Sequence, residues 1–416
     1  MGYEEINVRN LKSHTGKPKL TYVMVGGGND AFIGYVHRIV AEMDRMAELV
    51  GGCFSSTPEK SRESGLNLAL PEDRIYGSVD ELVEKESNRK DRADFAIVVT
   101  PTNVHFDPVM KLVNAGFNVA CDKPMTAGNV EQAMQIYDAV NKSGSRFMVT
   151  HNYTGAAVIK QARAMIQSGE FGPVTGFDMP YIQGWLNTAI EREGQKQAVA
   201  RTDPRYTGNS CGVADIGTHA ENMLRYISGQ ELAEVMPFIW TKVPGRMVED
   251  NATIMVKLTN GAYGNIRVSQ TTVGAENRFW AEIRTENATF RWDQENLNYL
   301  VVNHGNKPSE TYTRGGPGLC DAAKATVRIP SGHSEGYLES FATLYRAFEE
   351  AIIADVLGLN PALLKRDYPT VVTAGVKGVQ FIDLAVNGPR TVWTPNKYLA
   401  ANAQLVDRQD ANIRSA

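Results

Sequence analysis

Between Leu20 and Thr150 short apolar runs alternate with segments of helical periodicity, and this alternation limits the possible folds more than any other feature. Strands are predicted at Leu20–Val25 (LTYVMV), Leu49–Phe54, near Arg74–Tyr76, Phe95–Thr100, Asn118–Cys121 and Phe147–Thr150. Helices are predicted at Ile33–Glu48, from Pro58, at Val79–Lys85, Phe106–Ala115 and Val130–Ser143. Strands separated by helices pair in parallel through right-handed crossovers, because a parallel strand needs a long return connection. Their nearly continuous apolar character fits a sheet with both faces covered. Residues 1–151 are therefore expected to form a doubly wound α/β domain.

Beyond Met179 the pattern changes. Alternating or β-branched stretches occur at Asn251–Leu258, Ala262–Val268, Phe279–Arg284, Thr289–Trp292 and Tyr299–Val302, with a hairpin signal at Asn260-Gly261. Helices are expected at Ala156–Ser168, Val213–Ser228, Tyr337–Asp355 and Pro369–Val386. A chain of 416 residues exceeds one comfortable core. Residues 152–416 are expected to form an α+β domain on a large, mostly antiparallel open sheet, its last helices able to pack back on the first domain. The net charge of −4 removes the electrostatic case for nucleic acid or a membrane surface as partner. Cys53, Cys121, Cys211 and Cys320 form no CxxC pair, Met1–Lys19 has no apolar signal region, and no run is long enough to span a bilayer. The expected setting is the reducing cytoplasm.

Gly26, Gly28 and Gly34 open the first strand-to-helix connection. Glycines there allow unusual φ values and close approach of a pyrophosphate to the helix N-terminus. The spacing departs from G-x-G-x-x-G, since Asn29 to Ile33 all precede Gly34, and a plain glycine-rich turn is the alternative. After the second strand, Ser55-Ser56-Thr57 with Lys60 and Arg62 replaces the acidic residue that would bind an adenosine ribose and repel a 2′-phosphate. Between NAD and NADP the sequence leans to NADP, unless Lys60 and Arg62 are ordinary solvated residues.

Three segments carry candidate chemistry. Thr100-Pro101-Thr102-Asn103 with His105 lies at the C-terminal end of a parallel strand, where ligands of open α/β sheets gather. Asp122-Lys123-Pro124 follows the next strand, and its lysine can point into the same crevice, though taken alone a lysine there is more often a surface residue. Asp215 and His219 are four apart at the start of a helix, so the carboxylate can orient the imidazole for proton transfer. A metal pair is a competing reading, but no third ligand stands at a recognisable spacing, and no metal is predicted.

The order of these motifs resembles the Gfo/Idh/MocA family, named for glucose–fructose oxidoreductase, inositol dehydrogenase and a rhizopine catabolism protein. The resemblance rests on the glycines, TPTNVH at Thr100–His105, CDKP at Cys121–Pro124, IQSGEFGPV at Ile166–Val174, GVADIGTH at Gly212–His219 and GHSEGY at Gly332–Tyr337. It implies a Rossmann domain, NAD or NADP as cofactor, and hydride transfer at a hydroxyl-bearing carbon of a sugar, glycoside or cyclitol. Lys123 would lie between nicotinamide and substrate, with Asp215 and His219 on sugar hydroxyls and His219 as acid–base. Cofactor contacts would come from Gly26, Gly28, Phe32, Ile33, Ser55, Ser56, Lys60, Thr100, Pro101, Asn103, His105 and Asp122. Asn152, Tyr153, Trp185 and His333 would stand on the substrate side, Trp185 within a loop, Gln183–Thr207, that either lines the pocket or is plain surface. The Lys123-Pro124 bond is expected to be cis, and the assembly a homodimer or homotetramer. Thr154 replaces an arginine common in the family. Two alternatives within the resemblance are a nicotinamide-dependent glycosidase acting by transient oxidation and a catalytically silent cofactor-sensing regulator.

Overall fold

The computed structural model describes residues 19–29, 31–358 and 370–407. The polar lead-in, and Pro369 at the start of the last predicted helix, lie outside them. The first sheet is parallel, with order β2-β1-β3-β4-β5. It comprises β1 Leu20–Gly26, β2 Ala47–Cys53, β3 Phe95–Val99, β4 Asn118–Cys121 and β5 Phe147–Val149. The strand order reverses between β1 and β3, which opens a ligand crevice beyond their C-terminal ends.

In the half built on the first sheet, two elements differ from the sequence expectation. The first helix spans Phe32–Glu42 and β2 already begins at Ala47, because Arg45 takes a left-handed φ of 59° and breaks the apolar period. The strand expected near Arg74–Tyr76 is a single turn, Glu72–Arg74, with one bridge from Ile75 to Gly52. Arg74 is instead drawn inward by the buried carboxylate of Glu86, at 2.8 Å.

The second sheet has the order β13-β12-β11-β10-β6-β9-β8-β7-β14. Its strands are β6 Val174–Gln183, β7 Leu232–Trp240, β8 Asn251–Leu258, β9 Tyr263–Ser269, β10 Asn277–Thr285, β11 Ala288–Asp293, β12 Tyr299–His304, β13 Glu310–Thr313 and β14 Thr394–Pro395. All its pairings are antiparallel except β6 with β9. The inner strand β6 was not expected from the sequence, since Gly176 and Pro180 argue against an inner strand. The sheet accommodates Pro180 because the β10 ladder passes from Phe279↔Tyr181 to Glu282↔Asp178 without pairing it.

Helices Ala157–Gln167 and Thr218–Ser228 bury their apolar faces against the second sheet, through Ile159, Ala162, Met223 and Leu224 among others. The helix Tyr337–Leu357 belongs to the core of the first sheet instead. Its Phe341, Leu344, Tyr345 and Phe348 share one cluster with Tyr22, Met24 and Phe95. Val372–Val386 joins the two halves, with Val372, Val376 and Val379 on the first core and Phe381 and Leu384 on the second. No helix among the described residues is long and apolar enough to cross a membrane.

Candidate active site

The first crevice wall is the glycine loop. Gly26 has φ 83°, and a Cβ there would fall 2.9 Å from the Thr100 nitrogen. A Cβ on Gly28 would meet the Phe54 carbonyl at 2.7 Å, and one on Gly34 would lie 2.3 Å from the Cα of Gly27. Gly34 thus lets helix Phe32–Glu42 pack closely on the loop despite the longer spacing. Phe32, 65% exposed, and Ile33 open that helix, beside a cavity of about 430 Å3 lined by Gly28, Asn29, Phe32, Tyr35, Arg38 and Leu68. Arg38 donates to the Gly27 carbonyl at 2.7 Å and fixes the loop from behind. Bare backbone at a helix N-terminus facing a cavity fits a dinucleotide pyrophosphate. Ser55 and Ser56 follow β2 and Lys60 is exposed, whereas Arg62 pairs with Glu72 at 2.7 Å.

The segment after β3 divides. Thr100 lies beside Gly26 and Pro101 is exposed, but two of the expected cofactor contacts are turned elsewhere. His105 is 1% exposed, and its Nε2 and Nδ1 lie 2.8 Å from the Thr100 carbonyl and 3.1 Å from the Pro124 carbonyl. It clamps the Lys123-Pro124 turn to the end of β3, and burial lowers its pKa. Asn103 donates its amide to the Arg205 carbonyl at 2.7 Å, across to the second half of the chain.

Lys123 precedes a cis proline. Its Nζ donates to the Asp215 carbonyl at 2.6 Å and to the Asp215 carboxylate at 2.9 Å. Neighbouring Asp122 has other partners: Thr150 donates to its carboxylate at 2.7 Å, and His37 stands 3.5 Å off in an ion-pair contact. His37 also meets the Tyr345 hydroxyl at 2.5 Å. Burial alone would raise the Asp122 carboxyl, but His37, Lys123 and Thr150 outweigh it and hold it far below the usual range.

Asp215 does not orient His219 as its spacing suggested. Val213–Gly217 forms a π-helical turn, whose wider winding removes the overlap of side chains four apart. The Asp215 carboxylate instead accepts from Lys123, from Arg201 at 3.1 Å and from Gln270 at 2.7 Å. Burial would raise its pKa; Arg201 and Lys123 prevail and keep it far below the ordinary carboxylate value.

His219, 6% exposed, sits in an aromatic nest with ring centroids 5.0 Å from Tyr153 and 5.5 Å from His151. Burial, then the charge of Lys123, push its pKa well below that of a free imidazole. His151, which the sequence reading missed, is pushed down to about 3 by burial and by Lys123 and Arg225. Asn152 and Tyr153, expected on the substrate, are both buried beside His219. The Asn152 amide nitrogen has no hydrogen-bond partner among the described residues, whereas the Tyr153 hydroxyl meets that of Tyr181 at 2.6 Å.

A row of amides, also missed, runs from the carboxylate along the edge of the second sheet. Gln270 donates to Asp215 at 2.7 Å and to Gln183 at 3.4 Å, and Gln183 donates to Asn277 at 2.6 Å. Trp185 donates its indole N–H to Gln183 at 3.0 Å. Trp185 thus lies beside the row, and Arg201 brings the 183–207 loop onto Asp215. The loop is rooted by Arg246, whose side chain is 1% exposed and pairs with Glu191 at 2.9 Å and Asp250 at 3.1 Å. Arg246 also donates to the carbonyls of Leu186 and Thr188. His333 stands apart, exposed on the rim of a cavity of about 680 Å3 that also takes in Asn277 and Tyr337. Among the described residues no group of three His, Cys, Asp or Glu is placed to hold a metal.

Comparison with known proteins places this arrangement. Residues 20–151 match the oxidoreductase family with an NAD-binding Rossmann fold, and residues 159–291 match the GFO/IDH/MocA C-terminal domain. The chain is 30% identical over 389 residues to the uncharacterized oxidoreductase YfiI of Bacillus subtilis (strain 168), covering 91% of this chain and 97% of that one. Among solved structures it resembles an inositol dehydrogenase homolog complexed with NAD+ from Azotobacter vinelandii. That match has a TM-score of 0.86 and 31% identity, over 91% of this chain and 97% of the other. An inositol dehydrogenase homolog from the same organism complexed with NADH and myo-inositol matches with a TM-score of 0.80 and 28% identity, over 91% and 97% of the two chains. With both domain matches in place over a parallel sheet joined to a large open one, the chain belongs to the Gfo/Idh/MocA family of NAD-binding oxidoreductases.

Proposed function

We propose that this protein oxidises a secondary hydroxyl of a sugar, glycoside or cyclitol, with a nicotinamide dinucleotide as hydride acceptor. The observation that carries the reading is the meeting of Lys123, from the end of β4, with Asp215, one helical turn before the buried His219. A bound nicotinamide supplies the site that takes the hydride. His219 takes the hydroxyl proton: its lowered pKa keeps the ring neutral near pH 7, the form that can accept. Lys123, aimed by the carbonyl and one carboxylate oxygen of Asp215, offers positive charge to the oxygen that is losing its proton.

For the cofactor, we favour NAD over the sequence lean to NADP. Arg62 is engaged by Glu72, which leaves Lys60 as the remaining cation of the pair. The Azotobacter vinelandii relatives were solved with NAD+ and NADH. Pairing of subunits through the outer face of the second sheet is supported by the exposed rings of Phe238, Trp240 and Tyr263, and equilibrium sedimentation tests it.

A panel of sugars, cyclitols and glycosides with NAD and with NADP, followed by the absorbance of reduced nicotinamide, tests the reading. His219→Ala and Lys123→Ala should each lower turnover by about 10²- to 10⁴-fold while cofactor still binds. Unchanged turnover in both variants would overturn the assignment.

A further inference from the structure

We infer that the substrate is a glycoside of at least two rings, whose second ring lies in the 680 Å3 cavity next to the catalytic group. The inference rests on the proposed sugar oxidation and concerns its substrate class. The sheet order decides the location. From Asp215 the amide row crosses Gln270 after β9, Gln183 at the end of β6 and Asn277 at the start of β10. β11, β12 and β13 continue in the same direction. The cavity opens at Asn277 and spreads over Gln294–Tyr299, between β11 and β12, to Thr313 at the end of β13. It is a continuation of the active-site edge, and Tyr337 closes it towards the first domain.

Its lining has two sorts of residue. Arg314 donates to Asn298 at 2.8 Å, pairs with Glu335 at 3.0 Å and donates to the carbonyls of Ile329, Pro330 and His333, so these groups build the wall. Glu276, Gln294, Glu295, Asn296, Tyr299 and His333 are left with polar or aromatic surface turned to the space. Carboxylates and amides pair with the vicinal hydroxyls of a sugar, and the face of Tyr299, 42% exposed, offers a flat apolar platform to a ring's C–H groups. With Arg314 already matched by Glu335, the unmatched Glu276 and Glu295 make the cavity acidic. That charge suits an uncharged ring and repels a uronate or a sugar phosphate. The volume lies within the range of about 300–1,000 Å3 typical of sites that enclose a whole small ligand, whereas the catalytic groups that act on the first ring lie outside it.

The test compares the single-ring D-glucose, myo-inositol and methyl β-D-glucoside with the two-ring cellobiose and maltose, for wild type, Tyr299→Ala and Glu295→Gln. Two readouts are used, reduction of NAD and calorimetric binding to the cofactor-loaded protein. The expected result is a kcat/KM for a two-ring compound about tenfold or more above its single-ring counterpart, the worth of one or two good contacts. Tyr299→Ala and Glu295→Gln should bring that ratio to near one without changing the single-ring rate. Equal preference in wild type, or variants that lower both classes alike, would overturn the inference. Failure of the oxidation reading looks different: no compound reduces NAD, yet two-ring binding persists and weakens in Tyr299→Ala. Absence of both binding and preference ends the inference.

Discussion

Lys123 and Asp215 are joined twice, ammonium to carbonyl at 2.6 Å and ammonium to carboxylate at 2.9 Å. Lys123 follows β4 of the first sheet and Asp215 sits in the π turn of the second half, so this contact fixes where the halves of the crevice meet. Asp215 is the centre of the arrangement, because Arg201 and Gln270 converge on the same carboxylate. Asp215→Asn keeps the shape and the carbonyl contact but removes the charge. Hydrogen bonds to charged groups contribute about 1.5–3 kcal/mol, so turnover should fall by roughly ten- to a hundredfold. Steady-state kinetics alongside NAD titration would check this; an unchanged kcat would mean that the carboxylate does not aim the lysine.

Acid should destabilise the protein in two stages. Burial lowers the pKa of His105, His151 and His219, that of His151 to about 3. As pH falls below about 6.5 the unfolded chain binds protons at these rings while the folded one does not, so stability declines from there down to the folded values. Asp122 and Asp215, depressed in the fold, add their loss only below about pH 4. Denaturant midpoints should therefore drop between pH 6.5 and 4.5, by at most about 1.4 kcal/mol per unit for each ring. His151→Gln should flatten that slope, and an unaltered slope would count against the burial argument.

Gly34→Ala probes the glycine loop. Its methyl would lie 2.3 Å from the Gly27 Cα, and the obstacle is backbone that cannot swing aside. Overpacking of this kind costs about 1–3 kcal/mol. The melting temperature should fall and NAD affinity with it, measured by fluorescence titration. Gly144→Ala, whose Cβ would meet nothing within 4 Å, serves as a control that strains only its own left-handed φ and should leave NAD affinity intact.

Arg246→Met removes the root of the 183–207 loop. The guanidinium is fully enclosed between Glu191, Asp250 and two carbonyls. Breaking one side of a buried pair costs about 3–5 kcal/mol. Since Arg201 rides on this loop, substrate KM should rise several-fold while NAD affinity holds. Equal loss of both would indicate a general unfolding effect, which the melting curve would reveal.

The first sheet was legible because its strands are short apolar runs between clear helical periods; β4 and the helix Val130–Ser143 occupy the residues that the pattern marks. β6 was hidden, since a glycine and a proline mask a strand whose pairing is secured by neighbours distant in sequence. The chemistry was legible as residue types, in Lys123, Asp215 and His219, but not as partnerships. Spacing of four suggested a carboxylate serving an imidazole, whereas the π turn hands Asp215 to Lys123. Gln183, Gln270 and Asn277 carry no motif, and their alignment exists only once β6, β9 and β10 lie side by side.

The helix Tyr337–Leu357 covers Tyr22, Met24 and Phe95 from more than two hundred residues downstream. During synthesis the nucleotide-binding half therefore emerges from the ribosome with one greasy flank bare, and must wait for most of the polypeptide before it is sealed. A fragment ending at residue 151 would carry that flank into solution and invite aggregation, so the two halves are partners in folding as well as in chemistry.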